Sequence, residues 1–102
     1  MKAIIQSVNF NVKESLKNFV DTKVSKLSKY TSNIIDTHIY LKLDNNHSKE
    51  NKIVELKVHL PKDTIVVVKE SSSFESALNS AIDVVKKSLR RKKRSPKIQI
   101  AS

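Results

Sequence analysis

From Lys86 to Lys97 the chain carries eight basic residues and no acid: Lys86, Lys87, Arg90, Arg91, Lys92, Lys93, Arg94 and Lys97. On a helix, cations set three and four residues apart repel by tenths of a kcal/mol per pair. A purely structural surface would interleave acids, yet only Asp83 is placed to pair with Lys86 or Lys87. Attraction to the negative end of the helix dipole accounts for two or three such charges, not for eight. Phosphate binding is the chemistry that fits this spacing, and Lys86, Lys87, Arg90, Arg91 and Arg94 fall together on one side of a helical wheel.

Further cations stand upstream at Lys17, Lys23, Lys26 and Lys29. Lys23 lies by angle inside an apolar stripe, between Phe19 and Leu27, so its aliphatic stem is expected to pack at the core edge while the ammonium reaches solvent. Placed side by side on a sheet, the two helices would bring that cation toward the groove between them. His38 and His59 are expected on one exposed sheet face, but a metal site needs a third donor and the pattern indicates none, so no metal or other cofactor is expected. Tyr40 on the same face offers a base-stacking surface, too little alone for a stacking platform. No acid pair or serine–histidine arrangement stands out, and no enzyme activity is expected.

These residues sit in a chain of 102 residues with net charge +10, twenty Lys and Arg against ten acids. That length suits one domain, able to bury roughly 65% of its unfolded surface. Cysteine is absent, which excludes disulfides and thiolate metal sites, and glycine is absent too. Without glycine the phosphate-cradling loops, the dinucleotide fingerprint and the usual nucleophile elbow are unavailable, because each needs a backbone free of Cβ at a crowded turn. The charge favours a polyanion, nucleic acid before an anionic membrane. No signal peptide or membrane span is expected, and a cytoplasmic location is compatible with the composition.

The elements that must position the cations follow from periodicity. Lys2 to Phe10, with Ile4, Val8 and Phe10 apolar, reads as a strand. Leu16, Phe19, Val20, Val24, Leu27 and Tyr30 recur at helical spacing between Glu14 and Tyr30; Asn11 and Glu14 stand at capping-box distance, with Val12 or Lys13 as the alternative first position. The turn Thr31-Ser32-Asn33 ends that helix. His38 to Leu43, Val54 to Leu60 and Thr64 to Lys69 alternate as strands, joined by a polar loop at 44–51 and the turn Pro61-Lys62-Asp63. A last helix is predicted from Ser72, capped through Ser72 and Glu75, with Phe74, Ala77, Leu78, Ala81, Ile82, Val85 and Leu89 forming its apolar stripe. Ser95-Pro96 is expected to stop it, since the residue before proline avoids helical angles. The reading is α+β: a β-α-β-β-β-α two-layer sandwich, a four-stranded sheet with two helices on one face, organised as a domain over 1–95 and a tail over 96–102.

Two segments carry a family resemblance. Leu16-Lys17-Asn18-Phe19-Val20-Asp21-Thr22-Lys23-Val24-Ser25-Lys26-Leu27-Ser28-Lys29-Tyr30 resembles the first helix of the ribosome hibernation promoting factors, or ribosome-associated inhibitors. Ser76-Ala77-Leu78-Asn79-Ser80-Ala81-Ile82-Asp83 is similar to their second helix, where an Ala-Ile-Asp core precedes a basic end. The resemblance spans residues 1 to about 95.

It implies a fold like a double-stranded-RNA-binding domain with an added first strand. It also implies a partner, the small ribosomal subunit, whose decoding and tRNA-binding channel such a factor occupies in place of messenger and transfer RNA, inhibiting translation. The RNA-contacting positions it carries over are Lys23, Lys26, Lys87, Arg91 and Lys93, to which the helical wheel adds Lys86, Arg90 and Arg94. Some positions depart from the family pattern: Ser73 and Glu75 flank Phe74, Asn79 stands where aspartate is frequent, and Pro61-Lys62-Asp63 replaces a glycine turn. The chain resembles the short form, without the domain that pairs ribosomes and without an acidic tail, and is expected to be monomeric off the ribosome. The competing readings are a general double-stranded-RNA or nucleic-acid binder and a protein of anionic membranes. The latter is disfavoured because the basic helix end lacks an apolar stripe with aromatic anchors.

Overall fold

The alternating and helical periods resolve, in a computed structural model, into six main elements. The structure describes residues 2–8, 10–30, 33–43 and 51–101, with side chains through Arg91. They are β1 (Lys2–Val8), α1 (Glu14–Ser25) continued by a 3-10 turn (Lys26–Lys29), β2 (Asp36–Leu43), β3 (Lys52–Leu60), β4 (Asp63–Ser71) and α2 (Phe74–Ala101). The β-α-β-β-β-α order is the expected one. Residues 44–50, most of the expected polar loop, and Thr31 and Ser32 of the expected turn lie outside the described residues.

The sheet runs β1-β2-β3-β4 in space. The α1 crossover returns β2 parallel to β1, whereas short connections make β2–β3 and β3–β4 antiparallel. Alternation then decides which side chains meet the helices. Thr37, Ile39 and Leu41 of β2, Val54, Leu56 and Val58 of β3, and Ile65 and Val67 of β4 are buried. The apolar ones form one cluster with Val20, Val24 and Leu27 from the first helical segment and with Ala77, Leu78, Ala81, Ile82, Val85 and Leu89 of α2. Each fully buried Leu or Val in that cluster contributes on the order of 1.5–3 kcal/mol. No buried side-chain polar atom among the described residues lacks a hydrogen-bond partner.

Four details differ from the periodic reading. In β1 the inward residues are Ala3 and Ile5, which pack on the core, while Val8 is exposed. Pairing sets this phase: Ala3 lies beside the buried Thr37 and Ile5 beside the buried Ile39, so Ile4 falls on the other face with His38. Phe10 instead packs from beyond the strand, stacked on Phe74 at 4.9 Å. The second is at the start of α1, where the alternative Lys13 is the N-cap and no side chain caps it, so the Asn11–Glu14 box does not form.

The third concerns α2, which begins at Phe74 rather than Ser72. Ser73 is the capping residue: its hydroxyl accepts from the Ser76 N–H at 3.1 Å and its carbonyl accepts from the Ala77 N–H at 3.1 Å. Ser72 is left one residue too early to reach that amide. The fourth is the helix end, for α2 continues past Ser95-Pro96 to Ala101. Proline forfeits one backbone bond and crowds the preceding turn, at about 3 kcal/mol, but the ladder can resume beyond it. The Lys and Arg residues before Pro96 are good helix formers and sustain the run into it.

Candidate nucleic-acid interface

A helix packed by one stripe must turn its other side to solvent, and α2 divides its residues in that way. Leu89 is its last buried position among the described residues, whereas Lys87, Arg90 and Arg91 are exposed and Lys86 is half-buried. Asp83, the acid in reach of this stripe, makes no ion pair with Lys86 or Lys87. Lys93 and Arg94 lie within the helical run, and their side chains fall outside the described residues.

Tyr30 joins the helices. It follows the 3-10 turn that tightens the end of α1, where its N–H donates to the Leu27 carbonyl at 3.0 Å. Its ring packs at the core edge and receives two cations from α2: Lys86 Nζ stands 5.7 Å and Arg90 Cζ 5.9 Å from the centroid. At an exposed site each such contact is worth about 0.5–1 kcal/mol. The ring therefore gathers two cations whose mutual repulsion would otherwise spread them. Helical spacing marks Tyr30 as a core residue only; this second role rests on a contact between elements that no local period reports.

The α1 cations divide. Lys23 is half-buried with its ammonium over the Phe19 ring, 5.6 Å from the centroid, one helical turn back. The observed partner of its head is thus Phe19 on the same helix rather than a residue of α2. Lys26 is exposed in the 3-10 turn. The α1 segment and α2 are in contact, so these residues and the α2 stripe belong to one helical layer.

The opposite face of the sheet has another character. Lys42 and Lys57 both pair with Glu55 at 3.5 Å, so its cations are locally matched by an acid. Tyr40 stands there with Lys57 Nζ 5.3 Å from its ring centroid and His38 stacked at 6.3 Å. His38 and His59 share this face as expected. A third donor, Asp36, joins them, with the ligand atoms of all three within 4.8 Å of one another.

No helix of the described residues is long and apolar enough to cross a membrane. The architecture is that of proteins already solved. A ribosomal subunit interface protein from Coxiella burnetii superposes with a TM-score of 0.77 at 21% identity, covering 92% of this chain and 99% of that one. The Protein Y N-terminal domain of Thermus thermophilus gives 0.74 at 20% identity, covering 89% and 98%. In sequence, a ribosome hibernation promotion factor from Deinococcus radiodurans is 29% identical over 85 residues. That match takes in 81% of this chain but 44% of the relative, so the chain spans less than half the relative's length. The model of one family matches residues 3–97, which takes in α1, β2, β3 and β4 whole and most of β1 and α2. On that match, the chain belongs to the Sigma 54 modulation protein / S30EA ribosomal protein family.

Proposed function

We propose that this protein is a ribosome hibernation factor: it binds RNA of the small ribosomal subunit in the decoding and tRNA-binding channel and inhibits translation by occupying the path of messenger and transfer RNA. The observation that carries the reading is the helical layer, where an α2 stripe with no acid after Asp83 continues past the last buried residue and is tied to α1 through Tyr30. Family membership and the likeness to the Deinococcus radiodurans factor support a ribosomal polyanion over an arbitrary one.

In this reading Lys26, Lys86, Lys87, Arg90, Arg91, Lys93 and Arg94 neutralise phosphates, and Lys23 serves at the edge of the same surface. Residues 1–95 form the ribosome-binding unit. Contacts are to backbone and shape rather than base edges, because exposed aromatics are few. The protein acts in the cytoplasm as a monomer off the ribosome, without cofactor or catalysis, and holds ribosomes inactive in stationary phase and stress.

The test is sedimentation at physiological salt with ribosomes from stationary-phase cells, coupled to a translation assay. Co-migration with the small subunit and dose-dependent inhibition are expected; absence from that fraction overturns the reading. Equal binding to arbitrary duplex RNA would make the protein a general RNA binder, and binding to anionic vesicles in the absence of RNA would make it a membrane protein.

A further inference from the structure

Side chains two apart on a strand share a face, and antiparallel pairing sets a residue of the next strand opposite them. On the sheet face away from the helices this brings Asp36 and His38 of β2 together with His59 of β3, which pairs directly with Asp36. The carboxylate Oδ1 of Asp36 contacts His59 Nδ1 and lies 3.6 Å from His38 Nε2. The two imidazoles meet edge to face with centroids 5.1 Å apart. All three side chains are part-buried, at 27%, 26% and 35% exposure for Asp36, His38 and His59.

The geometry points to a binding site for a borderline transition-metal dication, of which Zn(II) is the representative, held by Asp36, His38 and His59 as a clasp between β2 and β3. Two imidazole nitrogens and one carboxylate oxygen form a donor set such an ion takes, with the fourth position left to water. Tetrahedral bonds of about 2.0–2.1 Å put donor atoms roughly 3.3 Å apart. The 3.6 Å between His38 Nε2 and Asp36 Oδ1 is close to that spacing, all three donor atoms lie within 4.8 Å of one another, and metal uptake replaces the direct Asp36–His59 contact. The surroundings favour it twice. Tyr40 stacks on the His38 ring and orients it. Lys57, the cation in register with His38, stands over Tyr40 and pairs with Glu55, so its charge is matched by an acid. The site lies on the other side of the sheet from the proposed RNA surface, so it is an addition to that reading and independent of it.

Untagged protein stripped with chelator and desalted is titrated with Zn(II) by calorimetry, with Co(II) as a visible-absorption probe of nitrogen coordination. One equivalent is expected to bind, raising the thermal midpoint. His38→Gln, His59→Gln and Asp36→Asn should each weaken binding at least tenfold and remove the thermal shift, while keeping the wild-type circular dichroism spectrum. His47→Gln, which changes the remaining histidine of the sequence, should leave binding intact. Lack of saturable uptake, uptake undiminished in the three site variants, or uptake abolished by His47→Gln would each overturn the assignment. Should a site variant lose its fold, the ring resonances of His38 and His59 in the wild-type protein decide the matter: they shift on Zn(II) addition if the site is real and stay fixed if it is not.

Discussion

Replacing Lys87 and Arg91 together with glutamine removes two positive charges from the exposed side of α2 and none from its packing stripe. If each cation neutralises one phosphate, its loss lowers the slope of log affinity against log salt by about 0.7 to 0.9. Two losses lower the slope by about 1.4 to 1.8. At about 0.15 M salt the same relation weakens binding roughly 14- to 30-fold, and the deficit shrinks toward 1 M. The assay is binding to purified small subunits over a salt series, with thermal unfolding as a fold control. The unfolding control separates a binding loss from a folding loss. The matched control is Lys2→Gln with Lys62→Gln, exposed positions in β1 and the β3–β4 turn that carry the same net charge change. Equal losses in the two double variants would refute a localised surface and leave only net charge. An unchanged salt slope in the α2 variant would refute the contact assignment itself.

Ser73→Ala removes the hydroxyl that caps α2 and should cost about 1 kcal/mol in urea unfolding, while Ser72→Ala costs much less; equal costs would displace the cap. Tyr30→Leu keeps an apolar side chain at the core edge but removes the ring under Lys86 and Arg90, so about 1–2 kcal/mol of cation–π attraction is lost. Unfolding should register that loss, and subunit binding should weaken as the two cations separate; a variant with wild-type stability would contradict the contact. The like-charged pairs Lys86–Arg90, Lys87–Arg91, Arg90–Arg94 and Lys93–Lys97 oppose the helix by roughly 1–2 kcal/mol together. Adding inorganic polyphosphate should therefore raise helicity in far-UV circular dichroism, and no change at saturation would count against that balance.

The element order and both helical stripes were legible because burial imposes a period on each: every apolar position expected inward on α2, from Ala77 to Leu89, is buried. Positions where two phases are equally apolar were not. Ala3-Ile4-Ile5 can present either Ile4 or Ile5, and only the register against Thr37 and Ile39 selects Ile5. Three consecutive serines before Phe74 likewise leave the cap undetermined until the hydrogen bond to Ser76 selects Ser73. The sheet-face cluster was hidden by a boundary. A strand read from His38 leaves Asp36 in the preceding loop, whereas β2 starts at Asp36 and so aligns it with His38. Its meeting with His59 depends on a pairing 23 residues away in sequence, which alternation does not encode.

One helix carries two requirements along its length. Phe74 to Leu89, about 24 Å at 1.5 Å per residue, supplies the buried stripe that holds α2 on the sheet. The remaining run to Ala101, about 18 Å, continues beyond the last described buried position. Glu55 and Asp36 sit among the sheet-face cations and imidazoles, and in α2 no acid follows Asp83. The eight cations from Lys86 to Lys97 thus stand without an acid among them, and a charge concentration of that kind orients a protein as it approaches a polyanion. The basic end contributes no described residue to the buried stripe, and of its cations Lys86 and Arg90 lie over Tyr30. Neutralising Lys87 and Arg91 can thus separate binding from stability, which no change within the buried stripe could do.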